Sequence, residues 1–347
     1  MRFMLSQRNF TEEHIRELQR KSKRDPALIE RTIFAFGLLE ALTRVGMPFV
    51  FKGGTCMMLL LDQLRRLSTD IDIIVEPGTS LDDYFEQASA IFPFIRYEEQ
   101  KRIGANNIEK RHIKFTYNSP INKNEFYILL DVLYEENPYP NVVERDIQND
   151  LLITEPDYIK VKVPSPDCIL GDKLTAFAPH TIGIPINSNK DLEVMKQLYD
   201  VCSLLDVFSD YNMVSATYNR VAPIEIAYRN ADITPRDALE DTFWAAACIA
   251  SRGKIREDDY PFYIRGIRDL RNHVFVENYT AEVAAVRATH VMYIVACLLS
   301  GKEYVRCGDT NEYIETVLTH DSLAPLRYLK KIDPMSYSYA VKADQLL

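Results

Sequence analysis

The sequence predicts an α+β protein with two parts: a core built on a mixed or mostly antiparallel sheet, residues 1–165, and a mostly helical C-terminal domain, residues 166–347. Two observations predict this class. The alternating apolar pattern of β-strands occurs before about residue 165, and the pattern is helical almost throughout from Pro166 onward. The chain is long enough for two domains, and its apolar share of 47% is that of an ordinary globular protein.

The core is predicted to open with two helices, one over residues 12–23 and one from Pro26 to Gly46. Proline is favoured in the first turn of a helix, and glycine commonly ends one. Strands are predicted at 48–52, 70–75, 94–97, 112–117, 126–134 and 158–163, and further helices at 56–64 and 81–91. The stretch FYILLDVLY, residues 126–134, is almost entirely apolar, which predicts that both of its faces are buried.

Helices of the C-terminal domain are predicted at 166–178, 191–208, 233–251, 260–272, 280–300 and 310–319. The longest apolar run near the C-terminus, Val291 to Leu299, is shorter than the roughly 20 residues that a membrane-spanning helix needs. The first residues also lack the apolar core of a secretory signal peptide. We therefore expect a cytoplasmic protein with no membrane contact.

Charge and cysteine usage exclude further classes of protein. The net charge is -9, whereas a general nucleic-acid coat protein is basic, so any contact with nucleic acid must come from a local patch. The six cysteines form no C-x-x-C pair, which argues against a zinc ribbon or a redox motif. Most of them lie in apolar helical stretches, as small buried hydrophobic residues do.

A strand, a Gly53-Gly54-Thr55 turn and a helix follow one another early in the core. Two glycines let the backbone turn sharply and approach a ligand closely. The helix that begins there directs free N–H groups and the positive end of its dipole toward an anion, and the Thr55 hydroxyl is a further donor. This pattern fits a phosphate-binding loop, although a tight strand-to-helix turn without a ligand explains it equally well.

A pair of aspartates lies in the next predicted strand, within the run from Ser68 to Ile74. Residues two apart in a strand point to the same face, so Asp70 and Asp72 project together. Two adjacent carboxylates repel each other unless a cation lies between them, and hard oxygen ligands suit Mg²⁺ or Mn²⁺. The alternative is a solvated strand face with basic neighbours, which the strongly apolar flanking residues disfavour.

A third aspartate, Asp131, interrupts the apolar run 126–134. Burying a carboxylate without compensation is costly, so Asp131 either pairs with a base or joins a metal site. In a strand beside the aspartate pair it would be the third carboxylate. Two metal ions held by three carboxylates form a known clamp for nucleotidyl transfer, which makes Asp70, Asp72 and Asp131 the predicted catalytic and metal-binding residues.

Together these motifs resemble the AbiEii/AbiGii-type nucleotidyltransferase toxins, a branch of the DNA polymerase β superfamily that includes the MenT toxins of type IV-style toxin–antitoxin systems. The resemblance covers roughly residues 30–210. It is carried by four runs: KGGT at 52–55, RLSTDID at 66–72, GDKLTAF at 171–177 and KQLYD at 196–200. It implies a polymerase β-like nucleotidyltransferase core with a mixed sheet.

The resemblance also implies roles for single residues. The nucleotide-binding set comprises Gly53, Gly54, Thr55, Arg66, Ser68 and Asp200, and the metal ligands include Asp70 and Asp72. Lys173 matches a catalytic lysine near the nucleotide phosphates. The family motif usually continues from this lysine toward a glutamate, whereas here Phe177 leads into Ala178-Pro179-His180. Asp191 is a second candidate for the downstream acid assigned to Asp200. A surface salt bridge between Lys196 and Asp200, four residues apart on a helix, is the alternative explanation.

The function implied is Mg²⁺- or Mn²⁺-dependent transfer of a nucleotide from an NTP to a hydroxyl, with RNA, at the tRNA 3′ end, as the acceptor. The protein would then be the toxin of a toxin–antitoxin or phage-defence pair, with a separately encoded antitoxin as partner. Transfer to a small molecule or a protein hydroxyl is one alternative, and a non-catalytic nucleotide-binding module is another.

The most basic local stretch runs from Lys101 to Lys114 and is a candidate landing site for an RNA backbone on this acidic protein. Its basic residues are Lys101, Arg102, Lys110, Arg111, His112 and Lys114. They flank a predicted loop over residues 103–107. A solvated hairpin without a ligand is an equally good interpretation.

Overall fold

The computed structural model describes residues 4–100, 110–309 and 311–347. The chain divides into two compact units. The first consists of Met1–Pro166 together with Asn272–Glu277, and the second consists of Asp167–Arg271 together with Asn278–Leu347. The return of the short segment 272–277 to the first unit was not foreseen from the sequence.

The first unit contains both sheets of the described chain. Its helices are α1 (Glu12–Ser22), α2 (Pro26–Arg44), α3 (Gly53–Leu60) and α4 (Asp82–Ser89). Its strands are β1 (Val50–Lys52), β2 (Ile71–Val75), β3 (Phe94–Glu99), β4 (Lys110–Asn118), β5 (Glu125–Tyr134), β6 (Val142–Asp146) and β7 (Lys160–Pro164). Of these elements, β6 was not predicted.

Local interactions explain where the first two helices begin and end. Thr11 caps α1 by accepting a hydrogen bond from the backbone N–H of His14, and Asp25 caps α2 by accepting one from Ala27. Pro26 occupies the first turn of α2, where no N–H partner is needed. After α2 ends, Gly46 adopts a φ of +74°, a conformation that glycine tolerates well.

Five strands form a mixed sheet in the order β1-β2-β5-β4-β3. Strands β2 and β5 are parallel, and the other neighbouring pairs are antiparallel. The predicted mixed sheet is therefore confirmed. Strands β6 and β7 form a separate antiparallel pair.

The two faces of β5 differ, so the prediction that both are buried is wrong. Ile128, Leu130 and Val132 are fully buried, whereas the alternate residues Leu129 and Asp131 are only half-buried. Helix α2 lies on the buried face, because its Phe34 stacks on Tyr117 of β4 and its Glu30 accepts a hydrogen bond from the Tyr117 hydroxyl. The opposite face carries polar side chains such as Asp131 and His112 beside the half-buried Leu129.

The second unit is helical. Its helices are α5 (Pro166–Ala176), α6 (Asp191–Leu205), α7 (Tyr211–Arg229), α8 (Pro235–Ala250), α9 (Tyr260–Leu270), α10 (Ala281–Ser300), α11 (Leu329–Ile332) and α12 (Pro334–Asp344). Helices α7, α11 and α12 were not predicted. The predicted helix at 310–319 is wrong, because residues 311–315 form turns and residues 316–320 have no regular structure.

Helix α10 packs against α6, α8 and α12 in the second unit. Within the described ranges it is the one helix long and apolar enough to cross a membrane by length and composition, with a mean hydropathy of 1.7 over its most apolar window. Of that window, 61% is buried inside the protein, as in the core helix of a globular domain. The apolar run from Val291 to Leu299 forms its C-terminal half.

Candidate functional site

The turn between β1 and α3 is fitted closely around the side chain of Asp72. Gly53 has a φ of +81°, which strongly favours glycine. A Cβ added to Gly53 would overlap the Asp72 carboxylate, only 2.8 Å from its Cγ. A Cβ on Gly54 would lie 2.5 Å from Nη2 of Arg66 and 3.0 Å from Oγ of Ser68. The two glycines thus make room for three polar side chains that the sequence assigned to one site.

Four polar residues form a row across the open face of the sheet. Lys52 of β1 pairs in register with Asp72 of β2. Asp72 pairs on its other side with Asp131 of β5, and Asp131 pairs with His112 of β4. Side chains at register partners point to the same face, and neighbouring strands lie about 4.8 Å apart. Asp72 and Asp131 are therefore direct neighbours, as expected from a strand placed beside the aspartate pair.

His112 bonds directly to Asp131, with Nδ1 of the imidazole 2.5 Å from Oδ1 of the carboxylate. Their side chains are 19% and 33% exposed, so the pair is in contact with solvent. Asp131 thus has the basic partner that its place in an apolar strand suggested as one alternative. The sequence analysis grouped His112 with the basic stretch and missed this pairing, because only the strand register brings the two residues together.

Asp70 lies one residue before β2 and is exposed. Its main-chain carbonyl accepts a hydrogen bond of 2.6 Å from the hydroxyl of Thr55, which is fully buried in α3. The Thr55 hydroxyl therefore holds the backbone of Asp70, whereas the sequence suggested that it was a donor to the ligand. On the other side, Arg31 donates to Thr69 at 3.2 Å, and the Thr69 hydroxyl lies 3.5 Å from Oδ1 of Asp70.

Arg66 and Ser68 are held beside the glycine turn by the returning segment 272–277. Arg66 forms an isolated β-bridge with Val274, the Leu67 N–H donates to the His273 carbonyl at 2.9 Å, and the Phe275 N–H donates to Arg65 at 2.8 Å. The Arg66 side chain is only 7% exposed and donates to the Leu67 carbonyl. It therefore braces the segment that leads into Asp70.

The carboxylates of the site fit a hard divalent cation. Mg²⁺ is typically held by one or two protein carboxylates, with phosphate oxygens and water as its remaining ligands. Asp70 is exposed and Asp72 is half-buried, and Gly53 leaves space for the Asp72 carboxylate. Among the described residues, no three His, Cys, Asp or Glu side chains form a cluster that could hold a metal ion by themselves. The arrangement fits a cation that two aspartates share with a bound phosphate.

The second unit brings Lys173 and Asp200 together. Lys173 Nζ lies 3.0 Å from Oδ2 of Asp200 and donates to Oε1 of Gln197 at 2.9 Å. Lys173 and Asp200 are 8% and 1% exposed, so their ion pair is buried. The alternative acid, Asp191, instead bonds to Arg265 at 2.7 Å. Of the two candidate acids, Asp200 is the partner of Lys173.

The basic stretch is largely neutralised where it is described. Lys101 and Arg102, with the loop at 103–107, lie outside the described residues. Arg111 bonds to Glu99 and Asp82 at 3.0 and 2.7 Å, and its hydrogen bond to Glu99 contributes most to raising its pKa above the ordinary arginine value. His112 is bonded to Asp131. Arg111 and His112 therefore already have acidic partners, and contact of this stretch with an RNA backbone stays a prediction.

Comparison with known proteins identifies relatives of this chain. A family model described as "Nucleotidyl transferase AbiEii toxin, Type IV TA system" matches residues 38–292. No curated protein sequence matches significantly. Among solved structures, JHP933 from Helicobacter pylori is 14% identical with a TM-score of 0.44, over 78% of this chain and 93% of that chain. A candidate nucleotidyltransferase from H. pylori is also 14% identical, with a TM-score of 0.46, over 80% of this chain and 99% of that one. Functional conclusions rest on the family match, because both TM-scores lie below 0.5.

Proposed function

We propose that this chain transfers a nucleotide from an NTP to a hydroxyl group of RNA, with the tRNA 3′ end as the acceptor. The chain belongs to the AbiEii nucleotidyl transferase toxin family and is a nucleotidyltransferase. The observation that carries the proposal is the close fit of Gly53 around Asp72, beside Asp70 and Asp131. Membership of a type IV toxin–antitoxin family implies an antitoxin partner. Because its substrates are cytoplasmic, we place the reaction in the cytoplasm.

The N-terminus of α3 is the proposed site of the triphosphate. This helix begins at Gly53 and its cap residue, Lys52, makes no side-chain capping bond. The first N–H groups of a helix lack intrahelical partners and point toward an anion, and the helix dipole adds to that attraction. Gly53 and Gly54 carry no side chain that would keep a phosphate from these groups. Arg66 and Ser68, adjacent to Gly54, are proposed to contact the nucleotide.

Asp70 and Asp72 are the proposed ligands of Mg²⁺ or Mn²⁺. A bound divalent cation would neutralise charge on the phosphates and on the leaving pyrophosphate. Thr55 fixes the backbone of Asp70 through its buried hydroxyl, and Gly53 confines the Asp72 carboxylate. These two contacts help to fix the positions of both aspartates.

Asp131 is proposed to accept the proton of the attacking hydroxyl, or to serve as a third metal ligand. Its Oδ1 is bonded to His112, which fixes the orientation of the carboxylate and of its second oxygen. For Lys173 the structure supports a buried ion pair with Asp200. A role of these two residues toward the nucleotide phosphates remains a prediction from the family resemblance.

The test is incubation of the purified chain with each labelled NTP, total RNA and Mg²⁺, with EDTA-treated and Asp70→Asn reactions beside it. We expect label in RNA of tRNA size, from the wild-type chain with Mg²⁺ only. Label on a protein or on a small molecule would reassign the acceptor. No label with any NTP would contradict catalysis and favour a binding module.

A further inference from the structure

Two aromatic rings are stacked between two cations at the start of β5. The Arg31 guanidinium lies 5.4 Å from the Phe126 ring centre, and Lys114 Nζ lies 4.5 Å from that of Tyr127. The two rings are parallel within 9° and their centres are 5.5 Å apart. We call Arg31, Phe126, Tyr127 and Lys114 the cation–aromatic ladder. We propose that it binds unstacked nucleobases of a single-stranded RNA acceptor, with its cations beside the flanking phosphates.

The rings of the ladder are unusually open for large apolar groups. Phe126 is 38% exposed and Tyr127 is 40% exposed, whereas Tyr117, which packs against the edge of Phe126, is fully buried. The two parallel rings are offset, since their centres are 5.5 Å apart, so part of each ring face is left open beside the cations. Open aromatic faces beside cations are the surface on which proteins stack single-stranded nucleic acids. A ladder that served only to pack the sheet would not need two rings with about two-fifths of their surface in water.

The ladder adjoins the proposed catalytic residues at both ends. Arg31 donates to Thr69, whose hydroxyl lies 3.5 Å from Asp70 Oδ1. Lys114 is two residues from His112 in β4, so both point to the same face of the sheet. Along β5, Tyr127 precedes Asp131 by four residues, a distance of roughly 14 Å on the same face. Phe126, the preceding residue, contacts Tyr117 and Arg31, so Tyr127 is the ring on the face of Asp131. An acceptor chain lying along β5 would therefore lead from Tyr127 to the aspartates.

The charges around the ladder suit an anionic chain. Neither Arg31 nor Lys114 forms a salt bridge with any residue of the described part of the chain. Glu125, next to Phe126, is held by Arg96 through two hydrogen bonds of 2.9 and 2.6 Å. Glu98 is the register partner of Lys114 across β3 and β4 and is the acidic group that opposes it. On a chain of net charge -9, this cluster of cations and rings is a local patch of the kind RNA requires.

This inference rests on the proposed function, and the test separates the two. Binding of a short single-stranded oligoribonucleotide, and of its abasic counterpart, is measured without NTP for wild type, Tyr127→Leu and the double variant Phe126→Leu/Tyr127→Leu. Loss of base stacking should raise the Kd for the ordinary oligonucleotide roughly 5- to 100-fold and leave the Kd for the abasic one unchanged. Tyr158→Leu, which removes an exposed ring elsewhere in the first unit, is the control and should bind as wild type.

Lys114→Gln tests the cationic part of the ladder. It should flatten the dependence of log K on log salt by about 0.7, the value for one phosphate contact on a single strand. Lys162→Gln, which removes an exposed lysine of β7, should leave the slope unchanged. Thermal melting of each variant shows whether the fold is retained, and Tyr127→Leu carries the test if the double variant unfolds.

The proposal would be overturned if folded Tyr127→Leu and the folded double variant bound the ordinary oligonucleotide with wild-type affinity. It would also be overturned if the variants lost equal affinity for the ordinary and the abasic oligonucleotides. The proposal is supported if the wild-type chain binds the ordinary oligonucleotide more tightly than the abasic one and the variants lose this preference. If the wild-type chain shows this preference but labels protein and no RNA in the transfer assay, the proposal of transfer to RNA fails. The proposal that the ladder binds bases is then still supported.

Discussion

The two units keep their charged residues in opposite surroundings. In the first unit, Asp70 and Asp72 lie at an open sheet face, where a glycine turn and a buried hydroxyl set their positions. In the second unit, Lys173 and Asp200 form an ion pair buried among helices α5 and α6. Exposed carboxylates can be lost at little cost to folding, whereas a buried charge that loses its partner cannot be solvated. The aspartates of the first unit lie at an open face, whereas Lys173 and Asp200 are already neutralised by each other.

The largest effect on stability is expected from breaking the buried pair. Asp200→Ala leaves the Lys173 ammonium buried without its counter-charge and should lower the free energy of unfolding by about 3–5 kcal/mol. Asp191→Ala is the matched control on the same helix. Its salt bridge to a half-exposed Arg265 should contribute at most about 1 kcal/mol. Urea denaturation of both variants measures the difference.

The double variant Lys173→Met/Asp200→Leu distinguishes the charge from the packing. Replacing both members of a buried ion pair by apolar side chains is often neutral, so most of the lost stability should return. If Asp200→Ala were as stable as the Asp191→Ala control, the contrast between the two units would be contradicted.

Substitution of Gly53 in the glycine turn is expected to have the next largest effect, and this effect is on transfer activity. Gly53→Ala places a methyl group on the Asp72 carboxylate and forces a left-handed backbone on alanine, at a cost of about 1–3 kcal/mol in stability. Displacing Asp72 by about 1 Å should reduce transfer on the order of 100-fold. Gly54→Ala leaves Asp72 in place and meets Arg66 and Ser68, so it should raise the KM for the NTP but lose much less of the rate at saturating NTP. Equal activities of the two variants would show that Asp72 does not need its present position.

The smallest change in stability is expected at Asp131. The amide introduced by Asp131→Asn would keep an oxygen that accepts the hydrogen bond of His112, and the pair is partly exposed, so the substitution should cost no more than about 1 kcal/mol. Transfer should nevertheless be abolished, because an amide cannot accept the proton and, without a negative charge, is a much weaker ligand of a divalent cation. Activity at the wild-type level in a folded variant would assign Asp131 a structural role as the partner of His112. Thermal melting and the transfer assay together decide this.

The sequence was sufficient wherever structure is determined by nearby residues. Asp25, Pro26 and Gly46 mark the ends of α2, and the alternating pattern located six of the seven strands. Helix α7 was missed because Pro223 lies inside it and only five of its 19 residues are buried. The buried face, Val214, Thr217, Tyr218, Val221 and Ala222, nevertheless has helical spacing. Strand β6 was missed because it is short and no residue in it is buried.

Features that depend on register could not be predicted. The row from Lys52 to His112 joins residues far apart in sequence, and each is ordinary in its own strand. A shift of one residue in β4 would turn His112 away from Asp131 and onto the buried face. The pairing of residues 272–277 with Arg65–Leu67 likewise could not be predicted, because no local sequence pattern indicates it. By contrast, the glycine turn and the Asp70–Asp72 pair were visible as motifs, because each fits within a few residues.

The most direct test of the central claim is to compare activity and stability in Asp72→Ala. The claim is that this carboxylate serves the reaction and is not required for folding. We therefore expect transfer from the labelled NTP to fall to background in a variant that still melts as a folded protein, because Asp72 lies on the open face of the sheet and its loss leaves the buried face intact. A folded Asp72→Ala protein that transfers nucleotide at the wild-type rate would contradict the assignment of the site.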